Sequence, residues 1–178
     1  VSIAVTPDGF NINEECGSTK PDKAHKAVLE NCADIGICLD GDADRVLFID
    51  EQGKLANGDQ VIGLLARAWM EKNLLNKSTV VATVMSNLAL EQYLEKIGVS
   101  LIRTQVGDKN VSKCMNREGL NLGGEQSGHL ILSDYSDAGD GLITSLQVLS
   151  VLVESKKKAS KIFDLFKPFP QSLINIDA

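Results

Sequence analysis

The feature that most constrains the fold is the alternation of short β-branched runs with predicted helices in the middle of the chain. Residues 79–84 and 99–104 are apolar runs of strand length, and each is followed by a predicted helix, at 87–96 and 110–118. Strands that alternate with helices form βαβ units, in which helices cover the faces of a sheet. This region is therefore predicted to be α/β.

Comparable patterns occur on both sides of this region. Pro21 and Asp22 mark the start of a helix, and Asn57 precedes apolar residues spaced three and four apart. The remaining predicted helices cover about residues 21–31, 57–69 and 141–154, and the remaining strands cover 35–39, 46–49 and 129–132. In the last helix four apolar residues share one face: Leu142, Leu146, Leu149 and Val153. The fold class predicted for the chain is α/β, with mixed sheets, covering helices and βαβ units.

Composition agrees with this class and argues against two kinds of partner. Hydrophobic residues make up 43% of the chain and aromatic residues only 4%, so the core must consist mainly of aliphatic side chains. A formal net charge of −6 argues against sequence-independent binding to nucleic acid, which requires a basic surface. No stretch approaches the roughly 18 consecutive apolar residues of a membrane-spanning helix, so no membrane partner is predicted.

The cysteines indicate a reducing compartment. Cys16, Cys32, Cys38 and Cys114 lack C-x-x-C spacing, and an aliphatic chain of this size needs no disulfide framework. Free thiols in a cytoplasmic protein are therefore predicted.

The most informative stretch for function is residues 40–45, with the sequence DGDADR, between two predicted strands. Carboxylates at three alternate positions converge only if the loop curls. Their mutual repulsion is then relieved by a divalent cation. The pattern predicts a site for a hard metal ion, held by Asp40, Asp42 and Asp44.

Two other interpretations of this stretch are open. One is an acidic hairpin turn without a ligand. The other is an EF-hand calcium loop, because Asp40, Asp42, Asp44 and Glu51 stand at its ligand positions one, three, five and twelve. Two features count against the EF-hand: Arg45 stands where the calcium loop requires glycine, and the run that follows is typical of a strand.

A second candidate cluster is residues 123–129, with the sequence GGEQSGH. Its glycines allow the backbone to approach a ligand closely. Glu125, Ser127 and His129 alternate, so all three project to one side if the run is extended. A carboxylate, a hydroxyl and an imidazole together suit neighbouring hydroxyl groups of a sugar. A glycine-rich turn that enters a strand explains the same residues without a ligand.

Three weaker features precede predicted helices. Lys109, with nearby helix amides, could meet a phosphate, although a helix cap by Asp108 explains that segment equally well. Asp140 is the predicted N-cap of the helix at 141–154. The segment Cys16-Gly17-Ser18-Thr19 invites interpretation as a source of a nucleophile, but the chain has only two histidines and a turn that enters a helix is sufficient.

Taken together, these motifs resemble those of the α-D-phosphohexomutase family. The metal loop of that family reads DGDGDR or DGDADR and its sugar loop reads GGE-x-SGH, and both occur here in the family's order. The CGST-x-P, VGD-basic and GDG segments are most similar to the branch that acts on glucosamine phosphates. Asp137-Ala138 departs from that branch, which commonly has two threonines there. The resemblance covers roughly residues 9–150.

The resemblance implies a four-domain architecture, of which this chain holds an internal part. Residues 1–50 are expected to form the C-terminal part of the second domain, with the metal loop. Residues 51–160 are expected to form the third domain, with the sugar loop, and residues 161–178 a linker towards a fourth domain. The catalytic serine and a further phosphate-binding loop of the family are expected outside this chain, since neither motif occurs in it.

The implied reaction interconverts glucosamine 6-phosphate and glucosamine 1-phosphate through a bisphosphate intermediate and an enzyme phosphoserine. By resemblance, Asp40, Asp42 and Asp44 hold Mg²⁺, and Arg45 approaches the phosphoryl group. Phosphoryl transfer needs charge neutralisation and alignment, which such a site supplies. The resemblance assigns binding of the hexosamine phosphate to four residues: Glu125, Ser127, His129 and Lys109.

Alternatives to this function stay open. The same chemistry on mannose or glucose phosphates is one, and a non-catalytic module that binds a metal or a sugar phosphate is another. The resemblance also leaves room for a homodimer of the whole enzyme. The chain by itself is expected to be inactive.

Overall fold

The computed structural model describes residues 1–172 and 174. Within them the chain forms two sheets and a set of helices, which confirms the α/β prediction. The strands are β1 (Ile35–Leu39), β2 (Val46–Asp50), β3 (Leu55–Ala56), β4 (Thr79–Thr83), β5 (Ser100–Thr104), β6 (Leu122–Gly124) and β7 (Leu130–Leu132). The helices are α1 (Asp22–Glu30), α2 (Gly58–Glu71), α3 (Leu88–Lys96), α4 (Asp108–Glu118), α5 (Gly141–Ser155) and α6 (Ala159–Phe163).

The first sheet is antiparallel, in the order β1-β2-β3. Leu39 pairs with Val46 at the end of the β1–β2 ladder, so residues 40–45 connect two adjacent strands. Helix α1 covers one face of this sheet through Val28, which packs with Cys38 and Ile49. The predicted arrangement of strand, loop and strand is confirmed.

The second sheet is mixed, in the order β5-β4-β6-β7. Strand β4 pairs in parallel with β5 and β6, and the crossovers between them contain α3 and α4, as expected for βαβ units. Strand β7 pairs antiparallel with β6, so residues 125–129 form the connection of a hairpin. Helix α4 covers one face through Val111 and Met115, which pack with Val81.

One apolar interior joins the two sheets. Val46 and Phe48 of β2 belong to the same buried cluster as Leu64 and Leu65 of α2. The ring of Phe48 also lies 5.7 Å from the ring of Phe163, centroid to centroid. Burying such a side chain contributes about 1.5–3 kcal/mol, so β2 is held by the same core as the second sheet.

Helix α6 corrects part of the predicted linker. The predicted linker covers residues 161–178, but residues 161–163 complete α6, in which Ile162 and Phe163 are buried. The reason is the apolar pair itself, which fills the core beside Phe48. Residues 164–172 have no regular structure. Residues 173 and 175–178 of the predicted linker lie outside the described residues.

Helix α5 turns a small, partly polar face inward. Thr144, Ser145 and Val148 are buried, whereas Leu142, Leu146 and Val153 are 59%, 56% and 74% exposed. Leu149, the fourth residue of the predicted apolar face, is half-buried, so that face points mostly away from the core. None of the described helices is long and apolar enough to cross a membrane.

The four cysteines are unpaired, as predicted. Cys38 is buried on β1, and its burial raises the pKa of the thiol to about 11. Because the thiolate is the reactive form, Cys38 is a structural residue.

Replacement of Phe48 by alanine tests whether the two sheets share one core. Phe48→Ala is expected to lower the free energy of unfolding by about 3–5 kcal/mol, since it leaves a cavity between β2 and α6. Urea unfolding followed by circular dichroism measures this change, and both sheets should be lost in one transition. Phe10→Ala is the matched control, because Phe10 is 95% exposed, and it should change the value by less than about 0.5 kcal/mol. Two separate transitions in Phe48→Ala would contradict a shared core.

Candidate metal and sugar-phosphate site

Residues 40–45 form a tightly curled loop between β1 and β2. The N–H of Ala43 donates to the carbonyl of Asp40 at 3.1 Å, and Ala43 adopts a left-handed conformation with φ 58°. The N–H of Arg45 donates to Asp40 Oδ1 at 3.1 Å, which closes the loop. One carboxylate oxygen each of Asp40, Asp42 and Asp44 then lies within 4.8 Å of the other two. The structure brings the three predicted carboxylates together.

The electrostatics of this loop favour a cation. Desolvation raises the pKa of the Asp44 carboxyl, and its contact with Asp40 raises it further, whereas the nearby His129 lowers it. Asp44 Oδ1 is buried and has no hydrogen-bond partner among the described residues. Three carboxylates are the oxygen donors that a hard divalent ion prefers, so the residues fit Mg²⁺.

The calcium-loop interpretation is wrong, because Glu51 is engaged elsewhere. Its carboxylate accepts hydrogen bonds from the N–H of Ser160, at 2.9 Å, and from the Ser160 hydroxyl. It therefore caps the start of α6 instead of reaching the loop. The elements that flank the loop are strands, whereas an EF-hand has helices.

Arg45 lies beside the acidic loop and reaches solvent. Its Nε is 3.8 Å from Asp40 Oδ2 and 3.8 Å from Asp44 Oδ1, and its side chain is 46% exposed. Arg45 also lines a cleft of about 380 Å³ together with Glu125 and Ser127. One cation is thus shared between the metal loop and the predicted sugar loop.

Residues 125–129 form a tight turn rather than an extended run. The N–H of Gly128 donates to the carbonyl of Glu125 at 3.0 Å, and the N–H of Glu125 donates to the carbonyl of His129 at 2.9 Å. Gly128 has φ +95°, a conformation that favours glycine and redirects the chain before His129. Glu125 and Ser127 face the cleft of Arg45. The prediction that His129 shares their side is wrong.

His129 does not line the cleft of Arg45 and instead contacts the metal loop from the side of a second cavity. Its ring is buried, with Nδ1 3.1 Å from Asp44 Oδ2. A Cβ at Gly139 would lie 2.3 Å from this ring, so the imidazole packs directly on a glycine backbone. His129 lines a second cavity, of about 570 Å³, with Asp44 and Lys109.

Lys109 is an exposed residue in the first turn of α4, at the rim of that second cavity. The N-cap of α4 is Gly107, so the alternative that Asp108 caps the helix is wrong. The N–H of Gly107 donates to Glu125 Oε1 at 2.9 Å, a contact that the sequence did not indicate. Lys113 also lines the cavity. Lys113 lies four residues after Lys109, so both side chains lie on one face of α4. This spacing could have identified Lys113 from the sequence.

The two remaining motifs are structural. Asp140 caps α5, as predicted, by accepting from the N–H of Ile143 at 2.8 Å. Ser18 is buried, and its N–H donates to the carbonyl of Leu39 at 3.2 Å. Ser18 thus anchors the segment before α1 to the end of β1, which agrees with a turn rather than a nucleophile.

Comparison with known proteins identifies the class to which this fold and site belong. Residues 57–169 match the family model described as phosphoglucomutase/phosphomannomutase, alpha/beta/alpha domain III. The chain belongs to the α-D-phosphohexomutase family.

Two curated relatives share more than half of their aligned residues with this chain. Phosphoglucosamine mutase of Parvibaculum lavamentivorans is 57% identical over 176 residues, which cover 99% of this chain and 39% of that protein. Phosphoglucosamine mutase of Zymomonas mobilis is 54% identical over 176 residues, covering 99% of this chain and 40% of that protein. The chain therefore spans about two-fifths of the length of these relatives.

Solved structures of the family share the fold. A phosphoglucomutase/phosphomannomutase family protein from Burkholderia thailandensis matches with a TM-score of 0.75 and 22% identity, over 88% of this chain and 33% of that one. N-acetylphosphoglucosamine mutase of Aspergillus fumigatus, in complex with GlcNAc-6P and magnesium, matches with a TM-score of 0.69 and 20% identity, over 89% of this chain and 38% of that one.

Replacement of Asp44 by asparagine tests whether the ionised carboxylate of Asp44 destabilises the fold. Because the folded state raises the pKa of Asp44, ionised Asp44 destabilises the fold above that pKa, and the penalty disappears below the ordinary value of 3.8. Asp44→Asn is therefore expected to raise the midpoint of thermal unfolding at pH 7, in chelator, by about 1–3 °C. The difference should shrink as the pH falls towards 3.8.

Asp42→Asn is the control for this measurement, because Asp42 is the exposed member of the three. It should move the midpoint less than Asp44→Asn does. A lower midpoint for Asp44→Asn at pH 7 would show that ionised Asp44 does not destabilise the fold.

Proposed function

We propose that this chain is the metal-binding and sugar-binding part of a phosphoglucosamine mutase. The whole enzyme would interconvert glucosamine 6-phosphate and glucosamine 1-phosphate through a bisphosphate intermediate, with an enzyme phosphoserine outside this chain. The observation that carries the proposal is the convergence of three carboxylates beside Arg45, at the cleft that Glu125 and Ser127 line. The names of the curated relatives support the hexosamine branch.

The proposed domain assignment follows the family pattern. Residues 1–50 are assigned to the end of the second of four domains and residues 51–160 to the third. The match of residues 57–169 to a domain III model supports the second assignment. Residues beyond α6 are assigned to a linker. A cytoplasmic location and a homodimer of the whole enzyme belong to the same proposal, and the unpaired cysteines support the location.

Asp40, Asp42 and Asp44 are the proposed ligands of Mg²⁺. Bound there, the ion would neutralise charge on the phosphoryl group during its transfer. Arg45 is placed to bind and orient the same phosphoryl group, because its exposed guanidinium lies 3.8 Å from two of the carboxylates. A fixed cation of this kind provides bidentate hydrogen bonds without reorganisation.

Glu125 and Ser127 are the proposed ligands of the sugar hydroxyls. The N–H of Gly107 holds Glu125 Oε1 at 2.9 Å, which leaves Oε2 to accept a hydrogen bond from a hydroxyl. Ser127 is exposed at the same cleft and can donate or accept. The bisphosphate intermediate would bind in two orientations and would offer sugar hydroxyls to this cleft in each. A carboxylate and a hydroxyl can form hydrogen bonds with these hydroxyls in both orientations.

Lys109 and His129 are proposed to bind the phosphorylated substrate from the second cavity. Lys109 offers a positive charge at the N-terminal turn of α4, where helix amides also favour an anion. The imidazole of His129 lies between this cavity and Asp44, at 3.1 Å from the carboxylate. The substrate would thus contact the metal loop from both sides of the Arg45–His129 bridge.

Replacement of Glu125 by alanine tests the sugar-binding role. The assay uses a chimaera in which this chain replaces the matching 176 residues of the Parvibaculum lavamentivorans relative. Glu125→Ala should lower kcat/KM for glucosamine 6-phosphate roughly 5- to 150-fold, because a charged hydrogen bond is lost. This corresponds to a loss of about 1–3 kcal/mol in transition-state stabilisation. Glu95→Ala, on the exposed surface of α3, is the control and should leave kcat/KM within twofold. Equal kcat/KM in both variants would refute the role, and a panel with mannose and glucose phosphates would rank the substrates.

The isolated chain is predicted to fold without mutase activity, because the family's nucleophilic serine is expected outside it. Purified chain is incubated with Mg²⁺, glucosamine 6-phosphate and a bisphosphate primer, and glucosamine 1-phosphate is measured. Product at the level of a blank without protein is the expected result. The chimaera serves as the positive control, and material from a host strain lacking its own mutase excludes contamination. Turnover by the chain alone would show that the catalytic centre has been misplaced.

A further inference from the structure

A buried carboxylate, Asp59, lies directly behind the turn formed by residues 125–128, and neither of the sites described above uses it. Asp59 is in the first turn of α2 and is 1% exposed. Its Oδ2 accepts a hydrogen bond from the side-chain amide of Gln126 at 3.1 Å and another from the N–H of Asn87 at 2.8 Å. Burial raises the pKa of this carboxyl, and these two hydrogen bonds oppose the shift. Burying a carboxylate costs free energy unless it is hydrogen-bonded. The groups that bond to Asp59 therefore indicate which part of the structure it stabilises.

The backbone of α2 holds the same turn. The N–H of Gly58 donates to the carbonyl of Gln126 at 3.1 Å, and a Cβ at Gly58 would lie 2.0 Å from the carbonyl oxygen of Glu125. Gly58 thus fixes the main chain of Gln126 and Asp59 fixes its side chain. Two successive residues of one helix hold one residue of the turn at both ends.

The position of Asp59 is itself fixed from the opposite side. Asn87 caps α3, and its N–H is bound to the same Oδ2 that receives Gln126. Arg103 supports this loop by donating to the carbonyl of Ser86 at 2.8 Å. Its positive charge also lowers the pKa of Asp59, which favours the ionised acceptor. Asp59 is therefore a rigid point to which the turn is attached.

We infer that Asp59 is a positioning residue for the sugar-binding turn: through Gln126 it sets the place of Glu125 and Ser127 at the cleft. This inference rests on the proposed sugar-binding function of the turn. Glu125 and Ser127 flank Gln126 directly, so the anchor and the two ligand-facing residues alternate along a short segment. A charge-assisted hydrogen bond is stronger and more directional than a neutral one, which suits an anchor. Loss of the anchor is expected to release the turn without unfolding the sheet.

The first test measures local opening of the turn in the isolated chain. Gln126→Met removes the donor at similar volume. Amide hydrogen exchange, followed by NMR, should accelerate about tenfold at Gly58 and Gly128, whose N–H groups bond to the turn, relative to the amides of β4. Gln92→Met, at an exposed position on α3, is the matched control and should leave the exchange of these amides unchanged.

A reversed pair provides the rescue. In Asp59→Asn combined with Gln126→Glu, the new amide can donate to the new carboxylate while its oxygen still accepts from Asn87, and the net charge is unchanged. Exchange at Gly58 and Gly128 should return to within about threefold of the original rate. Two results for Gln126→Met overturn the inference. If exchange rises equally in β4, Gln126 stabilises the fold in general. If exchange rises at neither glycine, Gln126 anchors nothing.

The second test uses the chimaera and separates this inference from the function on which it rests. Gln126→Met should raise KM for glucosamine 6-phosphate about fivefold or more with kcat within about twofold, since Glu125 and Ser127 bind the sugar in ground and transition states alike. The reversed pair should restore KM. If Glu125→Ala raises KM and Gln126→Met does not, the role of Asp59 is overturned. If neither variant changes KM although exchange responds, the sugar-binding role of the turn is overturned, whereas the anchoring of the turn by Asp59 stands.

Discussion

The contact between the metal loop and the β6–β7 turn is the interaction on which the rest of the site depends. The N–H of Val46 donates to the carbonyl of Gly128 at 3.1 Å, and a Cβ at Gly128 would lie 2.3 Å from the carbonyl oxygen of Val46. The adjacent residues Arg45 and His129 form a β-bridge. Because Val46 is also fully buried in the shared core, the backbone contact is rigid. It fixes the acidic loop, the cation of Arg45 and the carboxylate of Glu125 relative to one another.

This arrangement places opposite charges side by side in a chain with excess negative charge. The acidic groups are concentrated in a short loop, where desolvation and the neighbouring carboxylate of Asp40 raise the pKa of Asp44. Loops that gather like charges at a cost in stability are typical of functional sites. Cationic side chains stand on both sides of the loop: Arg45 at the smaller cleft and Lys109 at the larger cavity. An anion can therefore be attracted to this part of the surface although the net charge of the chain is −6.

The sequence predicted the parts of the structure that depend on local information. The strand, loop and strand around residues 40–45 follow from apolar runs and a turn, and the βαβ units follow from periodicity. The direction of His129 could not be predicted, because it depends on the left-handed conformation of Gly128 and on space above Gly139, which is distant in sequence. Helix α6 was missed for a similar reason. Its five residues form a helix because Phe163 packs on Phe48 and Glu51 caps Ser160.

The turn of residues 125–128 is held by contacts with the interior that its sequence alone does not reveal. Its main chain rests on α2 so closely that a side chain at Gly58 would meet the carbonyl oxygen of Glu125 at 2.0 Å. Close approach of this kind requires glycine at position 58. The turn is therefore packed firmly against the N-terminal end of α2 and is not a free loop. Within the turn, Gln126 reaches Asp59 in the interior, while Glu125 and Ser127 line the cleft. The alternation of residues 125–127 thus separates two environments, since Gln126 points to the interior and its two neighbours point to the cleft.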